Sequence, residues 1–155
     1  MPDFWAQVVR GWAYMGEAKP DSGVMALREA VRLTPSAFAA AALGHGLATS
    51  GHVAEARRIL RELLARHEQE YVSSYDIASI YAGLQERDEA FKWLRRAADE
   101  RSTFLVHLGW DARFEALRKD PRYHELLVER LALPAPRSTV AFAPQASGRG
   151  WPATN

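Results

Sequence analysis

The stretch IASIYAGLQERDEAFKWLRRA, residues 77–97, places small residues among large apolar ones on both sides of a polar break. Before the break, Ala78 is followed three positions later by Tyr81, and after it Ala90 is followed four positions later by Leu94. Spacings of three and four residues put side chains on one face of an α-helix. Small side chains let two antiparallel helices approach closely, and large ones fill the space beside them. The stretch therefore predicts two helices joined by a short turn.

The same small-to-large order occurs three times along the chain. The small residue of the first half is Gly11, then Gly44, then Ala78, so the period is 33 to 34 residues. The second halves repeat the order with further pairs, which are Gly23 with Leu27, Ala56 with Leu60, and Ala90 with Leu94. This period is typical of stacked helix-turn-helix repeats. Thr34-Pro35 separates the first two repeats, and we expect Pro35 in the first turn of the next helix.

Residues 3–101 resemble the tetratricopeptide repeat family in this period and in the order of small and large residues. The segment that follows makes the end of the chain similar to the C-terminal end of tetratricopeptide arrays in bacterial multidomain regulators. The resemblance implies an all-α protein, a superhelical array of about three helical hairpins with a C-terminal helical cap. The repeats are expected at about 3–35, 36–69 and 70–101.

After Arg101 the repeat pattern changes. Residues 102–133 predict a short helix, a turn near Gly109, a helix over about 111–118, and a last helix that begins at Asp120-Pro121 with an N-cap and a proline in its first turn. We interpret them as the cap that covers the last apolar face of a helical-repeat domain at 3–133. Residues 134–155 are rich in Pro, Ala, Gly and Ser and predict a flexible tail. An alternative interpretation is that its aromatic residues, Phe142 and Trp151, belong to a short docking motif.

Composition and motifs argue against several functional classes. Twenty basic and nineteen acidic residues leave a net charge of +1, which predicts no general attraction to nucleic acid or to an anionic membrane. With no cysteine, and no apolar run of the ~18 residues that a membrane span needs, we expect a cytoplasmic protein. The chain has no phosphate loop, no Gly-x-Ser-x-Gly and no His-Glu-x-x-His. We therefore predict a protein that is not an enzyme and has no metal or cofactor.

The first helices of tetratricopeptide hairpins line the concave face of the array, so the resemblance implies a peptide-binding groove there. By register, the groove residues are Trp5, Val8, Trp12, Phe38, Ala41, His45, Val72, Tyr75 and Ser79. They form an aromatic and apolar set, and aromatic anchors are common at protein interfaces. The implied function is a protein-interaction module or adaptor that binds an apolar peptide or helix of a partner protein.

Two other interpretations remain open from the sequence. Phe4, Trp5 and Trp12 could instead pack inside the first hairpin, under the tail, or against a second copy, which would make the protein a homodimeric assembly protein. A small-molecule pocket or an enzyme on a helical scaffold would need convergent polar groups, for which the candidates are His45, Tyr75 and Ser79.

Overall fold

The computed structural model describes residues 3–130, and within that range there is no β-strand, which confirms the all-α prediction. Three helix pairs follow one another along the chain, and a turn of three residues joins the two helices of each pair. Turns this short force the paired helices to run antiparallel. The helices are α1 (Phe4–Gly16), α2 (Pro20–Leu33), α3 (Ala37–Thr49), α4 (Val53–His67), α5 (Ser74–Gly83) and α6 (Arg87–Asp99).

Successive hairpins stack through their first helices. The α3 helix packs against α1 and α5, and it also packs against α2 of the preceding hairpin, as α5 packs against α4. The helices α1, α3 and α5 therefore form one continuous row, which we call the first-helix row. Because α3 lies between two hairpins, and α5 lies between the second hairpin and the C-terminal cap, both are buried along most of their length.

The repeated small residues lie where the helices approach most closely. A Cβ atom on Gly11 would be 2.6 Å from Leu27 Cγ, and one on Gly23 would be 2.7 Å from Met15 Cε. A Cβ atom on Gly44 would be 2.9 Å from Ile80 Cδ1, which belongs to the next hairpin. The small residues thus permit close contact both within and between hairpins, as the sequence pattern indicates.

Each hairpin turn uses the same left-handed backbone conformation, although the residue differs. The middle turn residue has φ of 56° at Ala18, 83° at Gly51 and 61° at Gln85. In the first turn the next N–H, that of Lys19, donates to the Tyr14 carbonyl at 2.9 Å, and the other two turns repeat this bond. These are the features of the Schellman helix end, in which glycine is usual. Only the second turn has glycine at this position, so a search for glycine would not find the other two turns.

The prediction for Pro35 was wrong by a short distance. Helix α3 begins at Ala37, and Ser36 is its N-cap, with the Ser36 hydroxyl accepting the Ala39 N–H at 3.2 Å. Pro35 therefore lies one residue before the cap rather than in the first helical turn. A serine N-cap fixes the start of the helix here because it satisfies a backbone donor that the helix leaves free.

The cap follows the predicted order of segments but not their predicted helix type. Two 3₁₀ helices, Thr103–His107 and Ala112–Leu117, precede α7 (Pro121–Glu125), which continues as a π-helical turn over Leu126–Arg130. Asp120 caps α7 as expected, accepting the Arg122 N–H at 3.1 Å.

The buried cap residues come in pairs three positions apart, a spacing that puts both side chains of a pair on one face of a helix. They are Leu105 with Leu108, Phe114 with Leu117, and Tyr123 with Leu126. Residues 131–155, which include the predicted tail 134–155 with Phe142 and Trp151, lie outside the described residues. Within the described range, no helix combines the length and apolarity needed to cross a membrane.

Candidate functional site

Three aromatic rings meet on the first-helix row at the N-terminal end of the protein. Trp5 and Phe38 have ring centroids 5.4 Å apart, and Trp12 meets Phe38 edge to face at 6.2 Å. Trp5 and Trp12 lie about two helical turns apart on α1 and also meet edge to face, at 6.1 Å. Trp12 and Phe38 are half-buried, whereas Trp5 is 46% exposed. We call these three residues the aromatic cluster.

A buried polar cluster lies at the C-terminal end of the same row. The Arg113 guanidinium, from the second 3₁₀ helix of the cap, donates to both carboxylate oxygens of Asp111, the shortest contact being 2.7 Å. It also donates to Asp76 of α5 at 3.4 Å, and the Tyr75 hydroxyl donates to Asp111 at 2.8 Å. The Arg113 side chain is only 11% exposed. We call Tyr75, Asp76, Asp111 and Arg113 the Arg113 cluster.

The Arg113 side chain joins the two clusters. Its guanidinium lies 5.0 Å from the ring centroid of Trp12 on α1 and 5.4 Å from that of Tyr75 on α5. Both distances are within the range of cation–π attraction. Phe104 stacks on Tyr75 with centroids 6.2 Å apart and is 38% exposed. The result is a row of contacting groups, the aromatic strip, which comprises Trp5, Phe38, Trp12, Arg113, Tyr75 and Phe104.

His45 lies on α3, beneath this strip, and is neutral at pH 7. Its Nδ1–H donates to the backbone carbonyl of Ser79 at 2.8 Å, which fixes the tautomer because a carbonyl oxygen can only accept. Burial, with a smaller contribution from the nearby positive charge of Arg113, lowers the pKa of His45 to about 4 against the opposing effect of the hydrogen bond to Ser79. The histidine is therefore a hydrogen-bonded part of the interior rather than a charged group.

The two carboxylates of the Arg113 cluster have opposite pKa shifts. Burial raises the pKa of Asp76 to about 6, against the opposing effect of Arg113. Burial also favours the neutral form of Asp111, but hydrogen bonds and charge from Arg113 outweigh it and lower the pKa of Asp111. Asp111 is therefore the principal counter-ion of Arg113. Asp76 is the carboxylate that takes up a proton more readily.

The structure brings the predicted groove residues together on the first-helix row but buries most of them. Val8, Ala41, Val72, Tyr75 and Ser79 are at most 1% exposed, and His45 is 8% exposed. For Tyr75 the cap is one reason, because Asp111 and Phe114 contact it on α5. Within the described residues, an open groove lined by all the predicted residues is not formed. Trp5, Trp12 and Phe38 remain at the surface.

Four residues of the site were missed from the sequence: Asp76, Phe104, Asp111 and Arg113. Asp111 and Arg113 lie in the predicted cap helix at about 111–118, where no sequence pattern indicated that they would pair with residues of α5. A signal did exist for Asp76, since the equivalent repeat positions are Val9 and Ala42, so a charged residue stands where the repeat is apolar.

The polar groups of the site pair with one another rather than converge on a ligand. Tyr75, Asp76, Asp111 and Arg113 are hydrogen-bonded within their own cluster. Across residues 3–130, no three His, Asp or Glu side chains are grouped so that they could hold a metal ion. The accessible chemistry of the site is therefore that of its exposed aromatic rings.

The sequence matches no protein-family model, and no curated protein or solved structure matches the chain. The tetratricopeptide resemblance thus depends on the period and on the order of small and large residues in the chain itself.

Proposed function

We propose that the protein is a tetratricopeptide-like interaction module of the cytoplasm, an adaptor without catalytic activity that binds an apolar peptide or amphipathic helix along the aromatic strip. The observation that carries the proposal is the exposure of the two ends of the strip. Trp5 is 46% exposed and Phe104 is 38% exposed, and each contacts a more deeply buried ring. Large aromatic side chains of this kind supply most of the binding energy at many protein interfaces.

The packing beneath the strip supports binding without a large entropic cost. Trp5 lies against Phe38 and Trp12, and Phe104 lies on Tyr75, so both exposed rings are already ordered before a partner arrives. The Arg113 side chain between them is held by two carboxylates and two rings. A pre-ordered surface loses less conformational entropy when it binds. The partner would lie across a shallow surface rather than in a deep groove.

The enzymatic alternative has less support from the same geometry. Its candidates His45, Tyr75 and Ser79 are buried, and their polar atoms are already hydrogen-bonded to Ser79, Asp111 and Asp76 respectively. A substrate would have to displace these partners. The homodimeric assembly protein remains the second candidate, because a second copy could also cover the exposed face of Trp5.

The test is peptide selection followed by matched substitutions. Peptides are selected on the full chain from a random 12-residue library, and their affinities are measured by isothermal titration calorimetry. We expect selected peptides to be rich in aromatic and aliphatic residues. Trp5→Ala and Phe104→Ala should each weaken binding about tenfold or more, which corresponds to about 1.4 kcal/mol.

Trp110→Ala is the matched control, since Trp110 is 67% exposed and contacts His107 outside the strip. It should change the affinity by less than about twofold. Equal affinity for the wild type and Trp5→Ala, with circular dichroism spectra unchanged, would contradict the proposal. So would the failure of any peptide to be selected.

A further inference from the structure

The aromatic strip is exposed at its two ends and largely covered between them. Trp5 at one end is 46% exposed and Phe104 at the other is 38% exposed. In the middle, the Arg113 side chain is only 11% exposed and Tyr75 is fully buried. A ligand that fits this surface therefore needs one large apolar side chain for each end and little bulk between the two.

The length of the strip limits how far apart those two side chains can be. Five contacts lead from Trp5 to Phe104, and the groups that they join are 5.0 to 6.2 Å apart. Nine residues of extended backbone span about 28 to 32 Å, which is at least the greatest separation that five such steps allow. Two anchors nine residues apart can therefore reach both ends at once.

Residues 131–155 of this chain contain that arrangement. Their only aromatic residues are Phe142 and Trp151, which are nine positions apart. The stretch between them, APQASGRG, consists mostly of alanine, glycine and serine. Small side chains allow a backbone to lie close to a shallow surface. The segment thus has the two anchors, the spacing and the low bulk that the strip requires.

The place where the described residues end gives the segment access to the strip. The Tyr123 hydroxyl of α7 donates to the carbonyl of Leu108, four residues after Phe104. Arg130 follows Tyr123 by seven helical residues, or roughly 10 Å. The twelve residues from there to Phe142 can span up to roughly 40 Å. The segment therefore starts from the Phe104 end of the strip, and Phe142 is the anchor that reaches that end first.

Charge also favours this segment as the occupant. The Arg113 cluster in the middle of the strip has two carboxylates but one guanidinium, so it carries excess negative charge when both carboxylates are ionised. Residues 131–155 have no aspartate or glutamate and contain two arginines, Arg137 and Arg149. Arg149 lies between the two aromatic anchors. The segment and the surface are therefore complementary in charge as well as in length.

We propose that residues 131–155 lie along the aromatic strip of their own chain, with Phe142 against Phe104 and Trp151 against Trp5. Because the segment is tethered, its effective concentration at the strip is of about millimolar order. Its regulatory consequence rests on the proposed function, since the segment would occupy the surface that binds a partner peptide. A partner must displace it, which lowers the apparent affinity in proportion to the fraction of chains whose strip is free.

Paramagnetic relaxation in the full chain tests the placement directly. The sequence has no cysteine, so Ala153→Cys provides a single site for a spin label, two residues after Trp151. We expect the label to broaden the indole N–H resonance of Trp5. The resonance of Trp93, on α6 outside the first-helix row, should be much less affected. A Trp5 resonance that is no more broadened than that of Trp93 would overturn the proposal.

Substitution of the anchors supplies the matched comparison. In the spin-labelled chain, Trp151→Ala and Phe142→Ala should each restore the Trp5 resonance. Val140→Ala, which shortens an apolar but non-aromatic side chain of the same segment, should not. A mixture of isotope-labelled chain and separate spin-labelled chain should show no broadening. Broadening in the mixture would mean that the segment docks on a second copy, and broadening that persists in both anchor variants would exclude the aromatic anchors. Either result would overturn the proposal.

Peptide affinity distinguishes failure of this proposal from failure of the adaptor function. For a peptide selected on the full chain, Trp151→Ala should bind about tenfold more tightly than the wild type, because the strip is then free, and Val140→Ala should bind like the wild type. Unchanged affinity in Trp151→Ala would overturn the competition and leave peptide binding intact. If no peptide is selected, the adaptor function fails, and the broadening of Trp5 still decides whether the segment lies on the strip.

Discussion

The first and third hairpins share one repeat but differ in what covers them. At one repeat position the chain has Val9 in the first hairpin and Asp76 in the third, and at another it has Trp12 and Ser79. Asp76 can be buried because the cap supplies Arg113 as its partner, and the Ser79 hydroxyl donates to the Asp76 carbonyl within the same helix. In the first hairpin the same Arg113 meets the ring of Trp12 instead, and aromatic and aliphatic side chains such as Trp5 and Val9 stay at the surface. Residue chemistry at a repeat position therefore follows the neighbour, not the repeat.

The largest expected effect on stability comes from removing Arg113, which pairs with the buried carboxylates at the third hairpin. Arg113→Ala would leave Asp76 and Asp111 buried without their cation, and removing one partner of a buried ion pair costs about 3 to 5 kcal/mol. We expect a loss of that size in the free energy of unfolding, measured by urea denaturation. Arg118→Ala is the control, since Arg118 pairs with the exposed Glu115 and should lower stability much less. Similar losses in the two variants would show that the Arg113 cluster does not hold the cap.

A second expectation concerns the pH dependence of stability. Asp76 and His45, which are both buried, should change the free energy of unfolding in opposite directions as pH rises. The pKa of Asp76 is raised from 3.8 to about 6, so its stabilising contribution is complete below pH 3.8 and is lost as pH rises through 6. The pKa of His45 is lowered from 6.5 to about 4, so its contribution is present above pH 6.5 and is lost as pH falls towards 4. Between about pH 4 and 6 the two effects offset each other.

Removing either Asp76 or His45 should make the pH dependence of stability that comes from the other residue measurable. In Asp76→Asn, the free energy of unfolding should rise with pH between about 4 and 6.5, by up to about 1.4 kcal/mol per pH unit, because the His45 contribution is no longer offset. In His45→Gln it should fall with rising pH between about 3.8 and 6, because the Asp76 contribution is no longer offset. Urea denaturation at a series of pH values measures both. Parallel pH profiles for the two variants and the wild type would contradict the assigned shifts.

The smallest expected effects on stability come from the hairpin turns, where the hairpins differ in the residue that has the left-handed backbone conformation. Gly51→Ala should lower stability by about 1 kcal/mol, because φ there is 83° and left-handed backbone is unfavourable for residues with a Cβ atom. Ala18→Gly and Gln85→Gly should each raise it by about 0.5 kcal/mol, the relief of strain exceeding the entropic cost of glycine. Thermal melts measure these shifts. A stabilising Gly51→Ala would show that the turns are not equivalent.

The helical hairpins were predictable because their determinants are local in the sequence. The spacing of Gly11, Gly44 and Ala78 specified the period, and Asp120-Pro121 specified the start of α7. The helix type of the cap was not predictable in the same way. Residues 111–118 were expected as one helix, and a buried pair such as Phe114 and Leu117, three residues apart, fits an α-helix and a 3₁₀ helix equally.

Half of the candidate site was predictable from register and half was not. Trp5, Trp12 and Phe38 were expected on one face, and the structure brings their rings into contact. Arg113 was not expected there, since its contact with Asp76 joins residues 37 positions apart. The helical period of apolar residues does not predict which side chains will meet over such a distance in the sequence.

The sequence by itself determined the helices, their pairing into hairpins and the row of apolar residues along α1, α3 and α5. These follow from side-chain spacing at the helical period, which acts within one or two turns of backbone. Only the tertiary structure decided which part of that row is buried and which is exposed. The cap folds back so that Arg113 contacts Asp76 on α5 and Trp12 on α1. The burial of its charge requires two carboxylates, Asp76 and its neighbour Asp111 in the cap. Solvent exposure depends on contacts between distant segments, and those contacts form only when the whole chain is folded.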